Sequence, residues 1–306
     1  MKIRANNIDI EVEDSGPVPG LGVNSSGGPV VLLIMGLGMQ LVAWPAQLID
    51  ALVQAGYRVI RFDNRDVGLS QHLDGLGRPH LLWEGLKFKF GWTPQAPYSV
   101  GDMAADALGV LDALGVARAH VLGVSMGGMI AQRMALAAPD RVLSLTSMMS
   151  SSGAQGLPPA RPEVLRALLS RPSGRSSDAV VAHYVKLFKV IGSPGFETPA
   201  LELRERIEQA VARGFYPVGT LRQMLAVMAD VNRSAQLAGI GAPTLVVHGK
   251  ADPLLPFAHG EDTARRIAGA QLLGIDGMGH DLPPGVVTRL LAALLPHLQA
   301  ATARSA

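Results

Sequence analysis

Ser125, Asp252 and His280 lie far apart in the chain, yet their types, order and settings suit nucleophilic acyl transfer. Ser125 is the centre of Gly123-Val124-Ser125-Met126-Gly127, a G-x-S-x-G pattern. The apolar run His120-Val121-Leu122-Gly123-Val124 precedes it, and the apolar helix positions Met129, Ile130 and Met134 follow. A strand that turns sharply into a helix forces its central residue into a strained conformation. Glycine on either side lets the neighbouring backbone come close. The hydroxyl is thereby exposed at the partially positive end of the following helix. Glycine-rich turns produce the same five-residue pattern by chance, so the flanking strand and helix carry the argument.

A serine hydroxyl is a weak nucleophile and needs a positioned base. Of the eight histidines, His280 sits in Gly277-Met278-Gly279-His280-Asp281, just after the last predicted strand and at the sheet edge where Ser125 emerges. His248 falls inside a predicted strand and is expected in the core. His72, His80, His183, His259 and His297 are expected at the surface or in the inserted segment. Asp252 follows the run Thr244-Leu245-Val246-Val247 and reaches the same edge. There it would orient the imidazole and stabilise the imidazolium. It could also simply cap the turn before Pro253, with Asp276 and Asp281 as the other acids. The tetrahedral oxyanion needs N–H donors. Met126 at the helix start offers one. Leu37 offers another, in the loop Met35-Gly36-Leu37-Gly38-Met39. Met39, Trp44, Phe188, Phe215 and Met224 are candidate lining for an apolar substrate pocket, and each reads equally well as core packing.

These residues need a parallel sheet to bring them together. Val30-Val31-Leu32-Leu33-Ile34-Met35, after Gly27-Gly28-Pro29, has the unbroken apolar character of a strand buried on both faces. Residues 57–62, 120–124, 142–149, 244–247 and 272–275 are further strands, with helical periodicity between them. The N-terminus reads as two strands turned at Asn6-Asn7. Residues 71–98 read as a loop. Ser99 opens a helix, with Asp102 as its capping-box partner. Further helices are expected near 261–268 and from Pro284 towards Ala300, with 301–306 frayed. Residues 150–235 show helical periodicity and no strand. This predicts an α/β protein with a mostly parallel central sheet flanked by helices. Residues 1–149 and 236–306 form its core domain, and 150–235 an inserted helical cap.

The composition fits such a core. Of 306 residues, 48% are hydrophobic and 17% charged, which excludes a disordered chain. A net charge of +2 with no basic run excludes a nucleic-acid footprint. The absence of cysteine removes disulfides, thiolate metal sites and a cysteine nucleophile. The alternating N-terminus does not resemble a signal peptide. The longest apolar run, Val30 to Met39, is far short of the roughly 20 residues needed to span a bilayer. A cytoplasmic enzyme without a membrane span, monomeric or homodimeric, is expected.

With these pieces in place, the sequence resembles the α/β-hydrolase superfamily over nearly its whole length. Phe62-Asp63-Asn64-Arg65-Asp66-Val67-Gly68-Leu69-Ser70 is similar to the D-x-R-G-x-G-x-S segment of that family, with Asp66 where many members have glycine. Residues 124–132 and 35–70 are similar to the serine esterase and haloperoxidase-like branch, which contains aclacinomycin methylesterase. Met35-Gly36 stands where many relatives have His-Gly. The resemblance implies a lidded carboxylic ester hydrolase acting on a small ester, with no metal or organic cofactor. C–C bond hydrolysis, perhydrolysis, and a ligand-binding receptor without turnover are the alternatives on the same fold.

Overall fold

The computed structural model describes residues 1–17 and 28–304. The expectation for Gly27 and for the last two residues falls outside that range. Asn6 and Asn7, at φ +46° and +64°, turn β1 (Lys2–Ala5) back antiparallel onto β2 (Ile8–Asp14). Asparagine tolerates this left-handed region better than most residues. The remaining strands are β3 (Val30–Ile34), β4 (Arg58–Phe62), β5 (Ala119–Val124), β6 (Val142–Met148), β7 (Thr244–Gly249) and β8 (Gln271–Ile275). They form one eight-stranded sheet among the described residues, in the order β1-β2-β4-β3-β5-β6-β7-β8. β2 is antiparallel to β4, and every pair from β4 onward is parallel.

The unbroken apolar run of β3 explains the layers. Side chains alternate across a strand, so Val30, Leu32 and Ile34 enter one core cluster while Val31 and Leu33 enter the other. Helices must therefore cover both faces. α1 (Ala46–Gln54) lies on one face. α2 (Leu81–Lys89) sits outside the sheet, and α3 (Val100–Ala113) and α4 (Met126–Ala137) pack on the opposite face from α1. Ser99 and Asp102 form the expected capping box at the start of α3. Between β6 and β7 the chain forms α5 (Pro162–Leu169), α6 (Ser177–Ile191), α7 (Ala200–Gly214), α8 (Pro217–Ala229) and α9 (Arg233–Gln236). That stretch contains no strand, as its periodicity predicts. α10 (Ala258–Arg266) follows β7. α11 (Pro284–Ala303) returns to the α1 face and includes residues expected to fray. α11 is long and apolar enough to cross a membrane, but Val286, Val287, Leu290, Leu294 and Leu298 are core residues of the sheet.

Two further expectations are corrected. Residues 71–98 are not all loop, since α2 forms there. Its acid, Glu84, turns inward to Lys87 Nζ and the Gln95 N–H, both at 2.7 Å, while Leu82 is 93% exposed. A helix with its apolar face outward gives no core-directed periodicity to read. His259 is not a surface residue. It is buried between Ser151 Oγ at 2.8 Å and the Pro158 carbonyl at 2.9 Å.

Candidate active site

β3 has β4 on one side and β5 on the other. The chain thus departs in opposite directions at this point, and a crevice opens beyond the carboxyl ends of the two strands. The loop after β3 and the turn after β5 meet there. Ser125 occupies that turn at φ +55°, a strained conformation for a residue with a side chain. Its surroundings impose glycine. A Cβ on Gly123 would lie 2.1 Å from the Gly127 carbonyl oxygen, and one on Gly127 would lie 2.0 Å from that of Ile34. The Ser125 N–H donates to the Met148 carbonyl (2.9 Å), and Ser150 Oγ donates to the Ser125 carbonyl (2.7 Å).

His280 and Asp252 reach the serine from adjacent strands. Ala251 N–H donates to the Met278 carbonyl at 3.0 Å, which ties the loop after β7 to the loop after β8. His280 Nε2 stands 3.0 Å from Ser125 Oγ, and Nδ1 stands 2.7 Å from Asp252 Oδ2. The other oxygen, Asp252 Oδ1, accepts the N–H groups of Leu254 (2.8 Å) and Leu255 (2.9 Å). Burial is the largest influence on Asp252 and pushes its carboxyl up. The charge and hydrogen bond of His280, together with the Leu255 N–H, outweigh it and hold the carboxyl below its usual value. An ionised Asp252 fixes the His280 proton on Nδ1, leaving Nε2 free to accept from Ser125. The fallback acids lie elsewhere. Asp276 pairs with Lys250 at the surface, and Asp281 takes the Ser193 hydroxyl.

The expected oxyanion donors flank the same serine. Met126 begins α4, and its N–H has no intramolecular partner among the described residues. Leu37 N–H likewise has no partner among the described residues. Its neighbour Gly36 is so close that a Cβ there would stand 3.2 Å from Ser125 Cβ. The turn is closed by Met39 N–H to the Gly36 carbonyl at 3.1 Å.

The Asp63–Ser70 segment braces this loop, which its sequence alone did not reveal. Asn64 Nδ2 donates to the Met35 carbonyl (2.9 Å), and Asp63 Oδ1 accepts the Leu41 N–H (2.7 Å). From the inserted helices, Arg213 reaches Asp63 Oδ2 at 2.5 Å, and Gln223 reaches Gly38 N at 2.8 Å. Among the described residues no three His, Asp or Glu side chains converge as metal ligands.

The expected lining residues occupy varied settings. Trp44 is buried in the core cluster with Met35 and Leu48, and Met39 packs partly on the same cluster. Phe188 packs with Val181, Leu203 and Ile207 between α6 and α7. Phe215 meets Tyr184 edge-on, and Met224 is half-buried on α8. An open cleft of about 720 Å³ includes Phe188, Ala251, Pro253 and Asp281. It reaches the flanks of Asp252 and His280 but not Ser125.

The sequence profile of the α/β-hydrolase fold family matches residues 29–283, and the chain belongs to that family. Rhodomycin D methylesterase DauP of Streptomyces sp. (strain C5) is 32% identical over 301 residues, covering 92% of this chain and 94% of that protein. DnrP of Streptomyces peucetius, also a rhodomycin D methylesterase, is 31% identical with the same coverage. The meta-cleavage product hydrolase CumD from Pseudomonas fluorescens IP01 superposes with a TM-score of 0.73 at 21% identity, over 98% of both chains. The expectation of an ester-hydrolysing member of this fold accords with both methylesterase relatives.

Proposed function

We propose that the chain hydrolyses carboxylic esters, methyl esters among them, through an acyl-enzyme on Ser125. The observation that carries this reading is the continuous hydrogen-bonded chain Ser125 Oγ–His280–Asp252, built on a serine held at φ +55°. His280 Nε2 takes the hydroxyl proton as Oγ attacks the ester carbonyl. Asp252 stabilises the imidazolium that forms. The N–H groups of Met126 and Leu37 receive the developing oxyanion. His280 then gives its proton to the leaving alcohol, and a water molecule repeats the cycle to release the acid.

Residues 150–235 act in this reading as a cap over the site. Met39, Trp44, Phe188, Phe215 and Met224 would supply its apolar walls. The two methylesterase relatives support a small alcohol as the leaving group.

The test is hydrolysis of a p-nitrophenyl ester series, acetate to decanoate, together with a methyl ester of an aromatic acid. Wild type and Ser125→Ala are assayed in parallel. Activity confined to wild type is the expected result. Full activity in folded Ser125→Ala, or no ester turnover in wild type, would overturn the reading.

A further inference from the structure

The loop that carries Leu37 has glycine on both sides, Gly36 and Gly38, so its own sequence does little to fix it. An oxyanion donor is useful only if it is fixed before the charge develops. Among the described residues three hydrogen bonds restrain positions 35–39 themselves, and Asp63 Oδ1 accepts the Leu41 N–H just beyond them. Asn64 holds its start at the Met35 carbonyl, and Met39 N–H closes the turn on Gly36. The third comes from the inserted helices, where Gln223 Oε1 on α8 accepts the Gly38 N–H at 2.8 Å.

Gln223 is completely buried, and its other end is also occupied. Nε2 donates to the Arg65 carbonyl at 2.8 Å, in the segment whose Asn64 braces the loop start. Only a primary amide offers an acceptor and a donor together at the end of a side chain of this length. Thr220, one helical turn earlier on the same face, closes the remaining space. A Cβ on Gly38, already at φ +66°, would stand 2.7 Å from Thr220 Oγ1. The loop is thus seated against α8 by a hydrogen bond and by close packing.

The geometry points to Gln223 as a positioning residue for the oxyanion hole, coupling the place of the Leu37 N–H to the seating of α8. It touches neither substrate nor reacting atoms and acts through the Gly38 amide. The inference rests on the serine-hydrolase reading above. It goes further in making part of the catalytic machinery depend on the cap. A cap that lifts α8 would loosen the donor, so substrate entry and oxyanion stabilisation would alternate.

The test compares wild type, Gln223→Met, Gln223→Glu and Ser125→Ala. Methionine keeps the length and forms neither hydrogen bond. Glutamate keeps an acceptor for Gly38 and loses the amide donor to Arg65. With a p-nitrophenyl ester, Gln223→Met should lower kcat and kcat/KM together by about 10–100-fold, with KM changed less than about threefold. Gln223→Glu should fall between it and wild type. A trifluoromethyl ketone, whose hydroxyl-adduct oxygen takes the oxyanion position, should lose inhibition of Gln223→Met in parallel with kcat/KM. p-Nitrophenol, the leaving group, carries no carbonyl oxygen and should inhibit the variant as it does wild type.

A folded Gln223→Met with kcat within twofold of wild type would overturn the role. So would a raised KM at unchanged kcat, which would mark a plain substrate contact. If Gln223→Met does not fold, Gln223→Glu decides alone by the same criteria. If neither folds, Gln223 is a folding residue and the inference fails. Lack of ester turnover in wild type would instead strike the underlying reading, so the two failures are distinguishable.

Discussion

His248 and His280 stand on the same carboxylate oxygen: Asp252 Oδ2 lies 2.7 Å from His280 Nδ1 and 3.6 Å from His248 Nε2. The two rings have different tasks. His248 Nε2–H donates to the Leu255 carbonyl at 2.7 Å, and burial holds the ring's pKa below its usual value, so it stays neutral. It therefore anchors the loop carrying Asp252 without competing for its charge. Asp252→Asn should lower kcat/KM by about three to four orders of magnitude, because an amide favours the wrong tautomer of His280. His248→Phe removes only the anchor. It should cost about 1 kcal/mol or more in stability by leaving the Leu255 carbonyl short of a donor, and less than tenfold in kcat. Steady-state kinetics and urea unfolding of both variants check the contrast. A His248→Phe defect as deep as that of Asp252→Asn would contradict it.

Asp66 stands at the glycine position of the D-x-R-G-x-G-x-S pattern that the sequence resembles, and the structure gives a reason. It adopts φ +64°, a conformation natural to glycine, and its Oδ1 accepts from Arg222 on α8 at 2.9 Å and from the Leu73 N–H at 2.7 Å. Both charged side chains are almost wholly buried. Asp66→Gly should relieve about 1 kcal/mol of backbone strain but leave a buried guanidinium unpaired, a loss of about 3–5 kcal/mol. The net destabilisation of about 2–4 kcal/mol is measurable by urea unfolding. Adding Arg222→Met should recover much of it, because the orphaned charge goes too. Simple additivity of the two changes would refute the coupling.

The pH dependence of stability should carry the signature of His120. Burial, aided by the charge of His297, pushes its pKa down to about 4. Its ring bonds Ser144 Oγ at 2.8 Å and Thr302 Oγ1 at 3.0 Å, tying β5 to β6 and α11. The unfolded chain binds a proton at this site below about pH 6.5, whereas the folded one resists until near pH 4. The stabilisation is therefore complete above the unfolded value, declines as pH falls between those limits, and is flat below the lower one. The decline is about 3 kcal/mol from this group. Buried His248 and half-buried His297, also shifted downward, add to it. His120→Gln should be less stable at pH 7 yet show a shallower loss between pH 6.5 and 4. Denaturant melts across that range check this, and an unchanged slope would contradict it.

What the sequence disclosed was whatever is local. The apolar run of β3, the glycines around Ser125 and the capping box at Ser99 each signal through residues a few positions apart. Ser125, Asp252 and His280 were legible because each follows such a strand. The braces were not legible. Gly38 and Gln223 are 185 residues apart, and a glutamine within a helix carries no mark of its partner. His259 was misread for the same reason, since its partners Ser151 and Pro158 lie more than 100 residues upstream. α2 escaped because periodicity is read on the assumption that apolar faces turn inward, and here Glu84 does so instead.

Ser193, just after α6, braces the loop of His280, the proposed general base, much as Gln223 braces the loop of Leu37. Its Oγ accepts the Gly279 N–H at 2.8 Å and donates to Asp281 Oδ1 at 2.5 Å, so it bonds the residues on both sides of His280. The His280 N–H itself donates to the Ile191 carbonyl at 2.7 Å. Burial already pushes the Asp281 carboxyl up despite the Ser193 bonds that oppose it. Ser193→Ala would leave that carboxyl and the Gly279 N–H without this partner, at about 1–3 kcal/mol of stability. Small displacements of a general base are costly to rate, so kcat should fall by about three- to tenfold with KM little changed. Ser170→Ala provides the comparison, because Ser170 Oγ bonds the Ala167 carbonyl at the exposed end of α5. Equal effects from the two substitutions, measured by steady-state kinetics and thermal melting, would mean that the insert does not hold His280 in place.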